Sequence, residues 1–293
     1  MAARTKNFLT SKVPNLAMVP LAAEPIFHIG EFTVTNSMLN AWVATVFFVA
    51  VAFVASRRTS LVPRGVHNLI EAVIGGLFDQ VEKVTESRAK AKAFFPLVAT
   101  IFLFVIVSNW MGLIPGTGSI GIYEVLHGEL ELVPLFRPAT SDLNLTLAIA
   151  AFSVIVTHIA GMKVLGFSSH FSKFFNVRGI FRALRKGPMA LIVACIEFFV
   201  GLLEVIGEFA KTLSLSLRLF GNVFAGEILI GVMMSLISYV VPIPFIFLEI
   251  LVGVIQATVF SMLVVVYLTV ATSGHGNEHE DEGHGHEPAA AHG

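Results

Sequence analysis

Leu213-Ser214-Leu215-Ser216-Leu217-Arg218-Leu219-Phe220-Gly221-Asn222-Val223-Phe224-Ala225-Gly226-Glu227 sets one arginine in the middle of a long apolar run. No carboxylate stands between Leu213 and Phe220 to neutralise it. An arginine cannot shed its proton to escape the cost of burial. At membrane depth such a charge costs about 3 kcal/mol or more, and it usually faces a bundle interior or a water-filled path. A chain that keeps Arg218 there is expected to use its charge.

The surrounding run, 188–241, is about twice the roughly 20 residues that span a bilayer. A straight upright helix of that length would leave the membrane. It is strongly tilted, bent, or split into two spans, and Gly201, Gly207, Gly221 and Gly226 permit bending without choosing among these. Pro242-Ile243-Pro244 reads as a tight turn, after which 245–272 runs back. The chain of 293 residues is 55% hydrophobic and 13% charged, with mean hydropathy +0.81. Soluble domains run near a quarter charged, so this is an integral membrane protein. Its apolar runs lack the period-two alternation of barrel strands, and the expected fold class is all-α. About five membrane helices are expected, with one amphipathic surface helix and the last two forming a long hairpin. A lone Cys195 in an apolar run excludes a disulfide framework and reads as a packing residue. No phosphate-cradling glycine loop and no nucleic-acid-binding pattern occurs.

From the N-terminus, residues 1–35 carry Pro14, Pro20 and Pro25 and read as a loosely ordered arm. The first span is 36–55, with Asn36 or Ser37 as its cap. Arg57, Arg58 and Arg64 follow it, which places that end in the cytoplasm and the N-terminus outside. In 66–84, Leu69, Ile70, Val73, Ile74, Leu77, Phe78 and Val81 recur at helical spacing, with Glu71, Asp79, Glu82 and Lys83 opposite. This is the amphipathic helix, assigned to the membrane surface through 66–93 on the strength of Arg88, Lys90 and Lys92. The second span is 94–115, ending at Trp110 and Pro115. The loop to Asp142 holds one arginine, Arg137, against Glu124, Glu129, Glu131 and Asp142, and reads as external. The third span, 143–167, leads to a basic, phenylalanine-rich loop at 168–187 suited to the cytoplasmic headgroups. From 274 to 293 the chain is rich in His, Gly and carboxylates. That composition reads as a disordered, solubilising cytoplasmic tail, and its spacing defines no metal site.

Glu197, Glu204, Lys211 and Arg218 recur every seven residues, and so lie on nearly one helix face. Asn222 is one turn past Arg218, and Glu208 lies near the same stripe. Glu227 falls nine residues after Arg218, on roughly the opposite face. Glu249 and Gln256 share a face of the return helix and are within reach of Glu227 across the hairpin. His158, Asn144 and Asp142 are candidates to join them. Two polar paths result: an inner one through Glu197, Glu204 and Glu208, and an outer one through Glu227 and Glu249. Arg218 stands between. Partly desolvated carboxylates exchange protons near neutral pH, and a fixed positive charge blocks direct passage of a cation. The plainer alternatives are a structural ion pair for Arg218, helix-packing hydrogen bonds for Glu197 and Glu204, a snorkelling Lys211, and a simple polar contact for His158.

The stretch Leu215 to Glu227 resembles the signature of subunit a of the F-type ATP synthase membrane sector. Ser108-Asn109 with Gly112-Leu113-Ile114-Pro115, Pro138-Ala139-Thr140-Ser141-Asp142-Leu143-Asn144, and Gln256 through Tyr267-Leu268 resemble that family as well. The resemblance implies a stator beside a rotating ring of c subunits, each carrying one essential carboxylate, with peripheral-stalk b subunits as further partners. It implies that Arg218 faces the ring and keeps the passing carboxylate ionised, supported by Asn222. Glu227, Glu249 and Gln256 would line the external path and Glu204 the internal one. It resolves the long helix as one arm of a tilted hairpin against the ring. It implies no nucleotide site, cofactor or metal in this chain, and residence in an energy-coupling membrane, the inner membrane of a bacterium. Some bacterial members pair a glutamate at the position of Glu227 with a histidine at that of Glu249. Here both are glutamates, and two nearby carboxylates titrate as a coupled pair. The coupling ion is H⁺ by default. The competing function is a self-contained secondary transporter with Arg218 binding an anion. That class favours internal repeats or paired broken helices, and the sequence has neither.

Overall fold

A computed structural model describes residues 23–57, 65–114, 120–126, 129–167, 188–236 and 240–273. The expectations for residues 1–22, the basic loop 168–187 and the tail 274–293 lie outside these. Among the described residues six helices carry the fold: α1 Asn36–Arg57, α2 Val66–Thr85, α3 Arg88–Gly112, α4 Leu143–Leu165, α5 Pro188–Leu236 and α6 Pro242–Thr272. Helices α3, α4 and α6 and the stretch Asn36–Val54 of α1 are long and apolar enough to cross a membrane. The chain is a multi-pass, all-α membrane protein.

Helix α5 is one unbroken helix of 49 residues. At 1.5 Å per residue it is about 74 Å long, more than twice the apolar layer of about 30 Å. It is not divided into two helices.

Several boundaries differ from the sequence reading. Helix α2, read as the surface helix, stops at Thr85, where Glu86 adopts a left-handed conformation (φ 51°). The Thr85 hydroxyl donates back to the Val81 carbonyl at 2.9 Å. The stretch 88–93, read as the end of that helix, is instead the first turn and a half of α3, so Arg88, Lys90 and Lys92 belong to a spanning helix. The cap of α1 is Thr35, not Asn36 or Ser37: its hydroxyl accepts from the Met38 N–H at 3.4 Å. Pro242 does not form the turn but opens α6, where its fixed φ suits the first helical position and its missing N–H leaves no bond unmade. Cys195 is exposed rather than packed.

Two hairpins interrupt what read as irregular segments. Strand β1 (Pro25–Ile29) pairs antiparallel with β2 (Phe32–Thr35), and β3 (Gly121–Leu126) with β4 (Glu129–Pro134). Asn36 ties both to the start of α1. Its Nδ2 donates to Glu24 Oε2 at 3.2 Å and to the Pro134 carbonyl at 3.3 Å.

The helices divide into two units. The first joins Met1–Ala151 to Lys211–Leu263, and the second joins Phe152–Ala210 to Val264–Gly293. In the first, the 3-10 turn Ala139–Ser141 is wholly buried. Gly112 sits so close to the Pro138 ring that any side chain there would overlap it. The Thr140 hydroxyl donates to Asn109 Oδ1, and Asn40 Nδ2 donates to the Arg137 carbonyl at 2.6 Å. These contacts lock the connection between β4 and α4 against α1 and α3. In the second unit, the Thr157 hydroxyl back-bonds to Ser153 within α4, and Phe198 and Phe199 pack edge to face on α5.

Candidate functional site

The middle of α5 is held on one side only. Leu215, Ser216 and Leu219 are buried, and the Ser216 and Thr146 hydroxyls lie 3.2 Å apart. Leu217 and Arg218 point the other way and are exposed. Among the described residues Arg218 has no ion-pair partner, so the alternative of a structural ion pair to Glu249 is not realised. One turn on, Asn222 Nδ2 donates to Gln256 Oε1 at 2.7 Å.

Asn222 and Gln256 sit at one end of a cleft of about 400 Å³ between α5 and α6, with Gly226 and Glu249 in its wall. A Cβ at Gly226 would overlap the Glu249 carboxylate, so a side chain there would displace the end of Glu249. The cleft therefore brings together Asn222, Glu249 and Gln256, as the spacing of 249 and 256 anticipates.

Glu227 has a different partner from the expected Glu249. Its Oε2 accepts from Arg137 Nε at 3.2 Å, and the Ser141 side chain is a further hydrogen-bond partner. The Arg137 guanidinium also lies 5.9 Å from the Phe224 ring centroid. Arg137 read as one charge in an external loop; it is instead 2% exposed. Its signal was its place as the only Lys or Arg between Gly112 and Asp142, beside Pro138.

Asp142 is buried and caps α4, accepting the Asn144 N–H on Oδ1 at 2.9 Å. The Asn144 side chain is exposed. In the second unit, His158 Nε2 lies 3.7 Å from Glu208 Oε2. Glu197 and Glu204 are exposed on α5, and Lys211 is half-buried. On α5 a cation thus sits at 218, carboxylates at 197, 204 and 208 precede it, and a carboxylate held by its own arginine follows it.

An arginine without an ion-pair partner among the described residues, on a long apolar helix with acid groups before and after it, defines the class: a membrane protein built to handle ions rather than one that only packs. Residues 38–269 match the family described as ATP synthase A chain. The chain is 36% identical over 245 residues to ATP synthase subunit a of Geobacter sulfurreducens, covering 84% of this chain and 90% of that one. It is 30% identical to the subunit a of Moorella thermoacetica, covering 85% and 96%. For the subunit a of Trichlorobacter lovleyi the identity is 32%, covering 89% and 93%. The chain belongs to the ATP synthase A chain family.

Proposed function

We propose that the chain is the ion-translocating stator subunit of a rotary ATP synthase, passing protons to and from a ring of c subunits. The observation that carries this reading is Arg218: exposed at the middle of α5, flanked by apolar side chains, and without an ion-pair partner among the described residues. Facing lipid, that guanidinium would cost several kcal/mol. A ring carboxylate passing in front of it removes the cost and is itself kept ionised. Protons enter through Glu227, Glu249, Gln256, Asp142 and Asn144, neutralise a ring carboxylate, ride the ring, and leave past Glu204, Glu208 and Glu197. His158, beside Glu208, belongs with this second group. Arg218 prevents a proton from crossing without the ring. Asn222, bonded to Gln256, supports the arginine's turn of the helix. Each charge that crosses brings about 2.3 kcal/mol per 100 mV.

In this reading the b subunits of the peripheral stalk hold the chain against rotation. The N-terminus and both hairpins face outside and the C-terminus the cytoplasm, in the inner membrane of a bacterium. A self-contained transporter is not favoured, because the relatives are subunits of a larger complex. The test is ATP-driven proton pumping in membrane vesicles. Arg218→Ala is expected to abolish pumping while the complex remains assembled. Normal pumping would show that the arginine is structural and end this reading.

A further inference from the structure

We infer that Arg137 is a positioning residue of the outer proton path, holding the Glu227 carboxylate at Oε2 while part of the group stays open to the channel. This rests on the function proposed above. The two side chains of the pair differ in surroundings: Arg137 is 1% exposed and Glu227 19%. The arginine is therefore enclosed, while part of the carboxylate still reaches accessible space. The contact is made by Nε to Oε2.

The arginine is itself held from several sides. Asn40 Nδ2 binds its carbonyl at 2.6 Å. The Phe224 ring, one turn before Glu227 on α5, lies against its guanidinium. The following residues are immobilised by Pro138 on Gly112 and by Thr140 on Asn109. Position thus passes from α1 and α3, through the connection before α4, to one carboxylate of α5. Stability gives no reason for this arrangement. Replacing a buried ion pair by apolar residues of similar volume is often neutral or stabilising. A proton relay, by contrast, depends on where its carboxylate stands, and a misplacement of about 1 Å costs on the order of a hundredfold.

The test is passive proton conductance through the membrane sector of the complete complex in vesicles, per assembled complex, with ATP-driven pumping of Arg218→Ala measured in parallel. Arg137→Gln is expected to lower conductance by about tenfold to a hundredfold. Arg137→Lys, which keeps the charge, is expected to recover part of it. In a Glu227→Gln background, Arg137→Gln is expected to add no further loss, because its effect runs through Glu227. Wild-type conductance in Arg137→Gln would overturn the inference, as would an additional loss on top of Glu227→Gln. If Arg137→Gln does not assemble, Asn40→Ala decides, since it frees the arginine's backbone and leaves its charge in place. A several-fold fall in conductance supports positioning, and an unchanged rate overturns it. Loss of ATP-driven pumping in Arg218→Ala beside normal conductance in the Arg137 variants would sink this inference alone. Normal pumping in Arg218→Ala would sink the reading beneath it.

Discussion

Two glycines near the end of α3 give opposite predictions from the same geometry. A methyl at Gly112 would overlap three carbons of the Pro138 ring, well inside van der Waals contact. A proline ring cannot rotate away, and the 3-10 turn behind it is wholly buried, so backbone has to move. Overpacking of this kind costs about 1–3 kcal/mol, and the upper end applies where no flexible side chain yields. A methyl at Gly253 would meet Trp110 Nε1 at 3.5 Å and Asn109 Cβ at 3.6 Å, which is ordinary contact. Gly253 lies inside α6, where alanine gains about 0.8–1.0 kcal/mol over glycine. The assay is the temperature at which vesicles lose half their ATP-driven pumping, together with the initial pumping rate. Gly112→Ala is expected to lower that temperature and also the rate, because the displaced turn carries Ser141 and adjoins Arg137. Gly253→Ala is expected to leave the rate unchanged and hold or raise the temperature. Equal behaviour of the two variants, or the reverse order, would refute the reasoning.

Two further outcomes follow from single contacts. Asn222→Leu and Gln256→Leu each remove a 2.7 Å hydrogen bond, with a net loss of about 1 kcal/mol apiece. Their effects on pumping should be non-additive in a double-mutant cycle, and strict additivity would show that the pair does not act as a unit. Asp142→Ala removes the cap of α4 and should destabilise the complex by about 1 kcal/mol. Asp142→Asn should largely restore thermal stability, since an asparagine oxygen accepts the same bond; failure of that rescue would point to the charge instead.

The helices were legible because the bilayer leaves a segment little choice. A long apolar run must satisfy its own backbone, so 36–55, 143–167 and 245–272 could be read from length and polarity alone. The hairpins were not read, although signals existed. Gly30, at φ +65°, stands between β1 and β2, and 129–133 alternates Glu-Leu-Glu-Leu-Val. Proline content and acidity masked the alternation. Within the site, the seven-residue spacing of Glu249 and Gln256 placed both on the cleft. The partners of Glu227 and His158 could not be obtained that way, because periodicity assigns a face of one helix and says nothing of what lies opposite.

Sequence by itself determined a multi-pass helical membrane protein with a charge it could not discard at Arg218, since ionisation and hydropathy are properties of residues and runs. Tertiary structure decided which acids have partners. It joined Glu227 to Arg137 across ninety positions of chain, set Glu249 against Gly226, and left Arg218 on an open face. Those outcomes depend on which side chains packing brings within a few ångströms, and Coulomb and hydrogen-bond energies act at that distance, not along the chain.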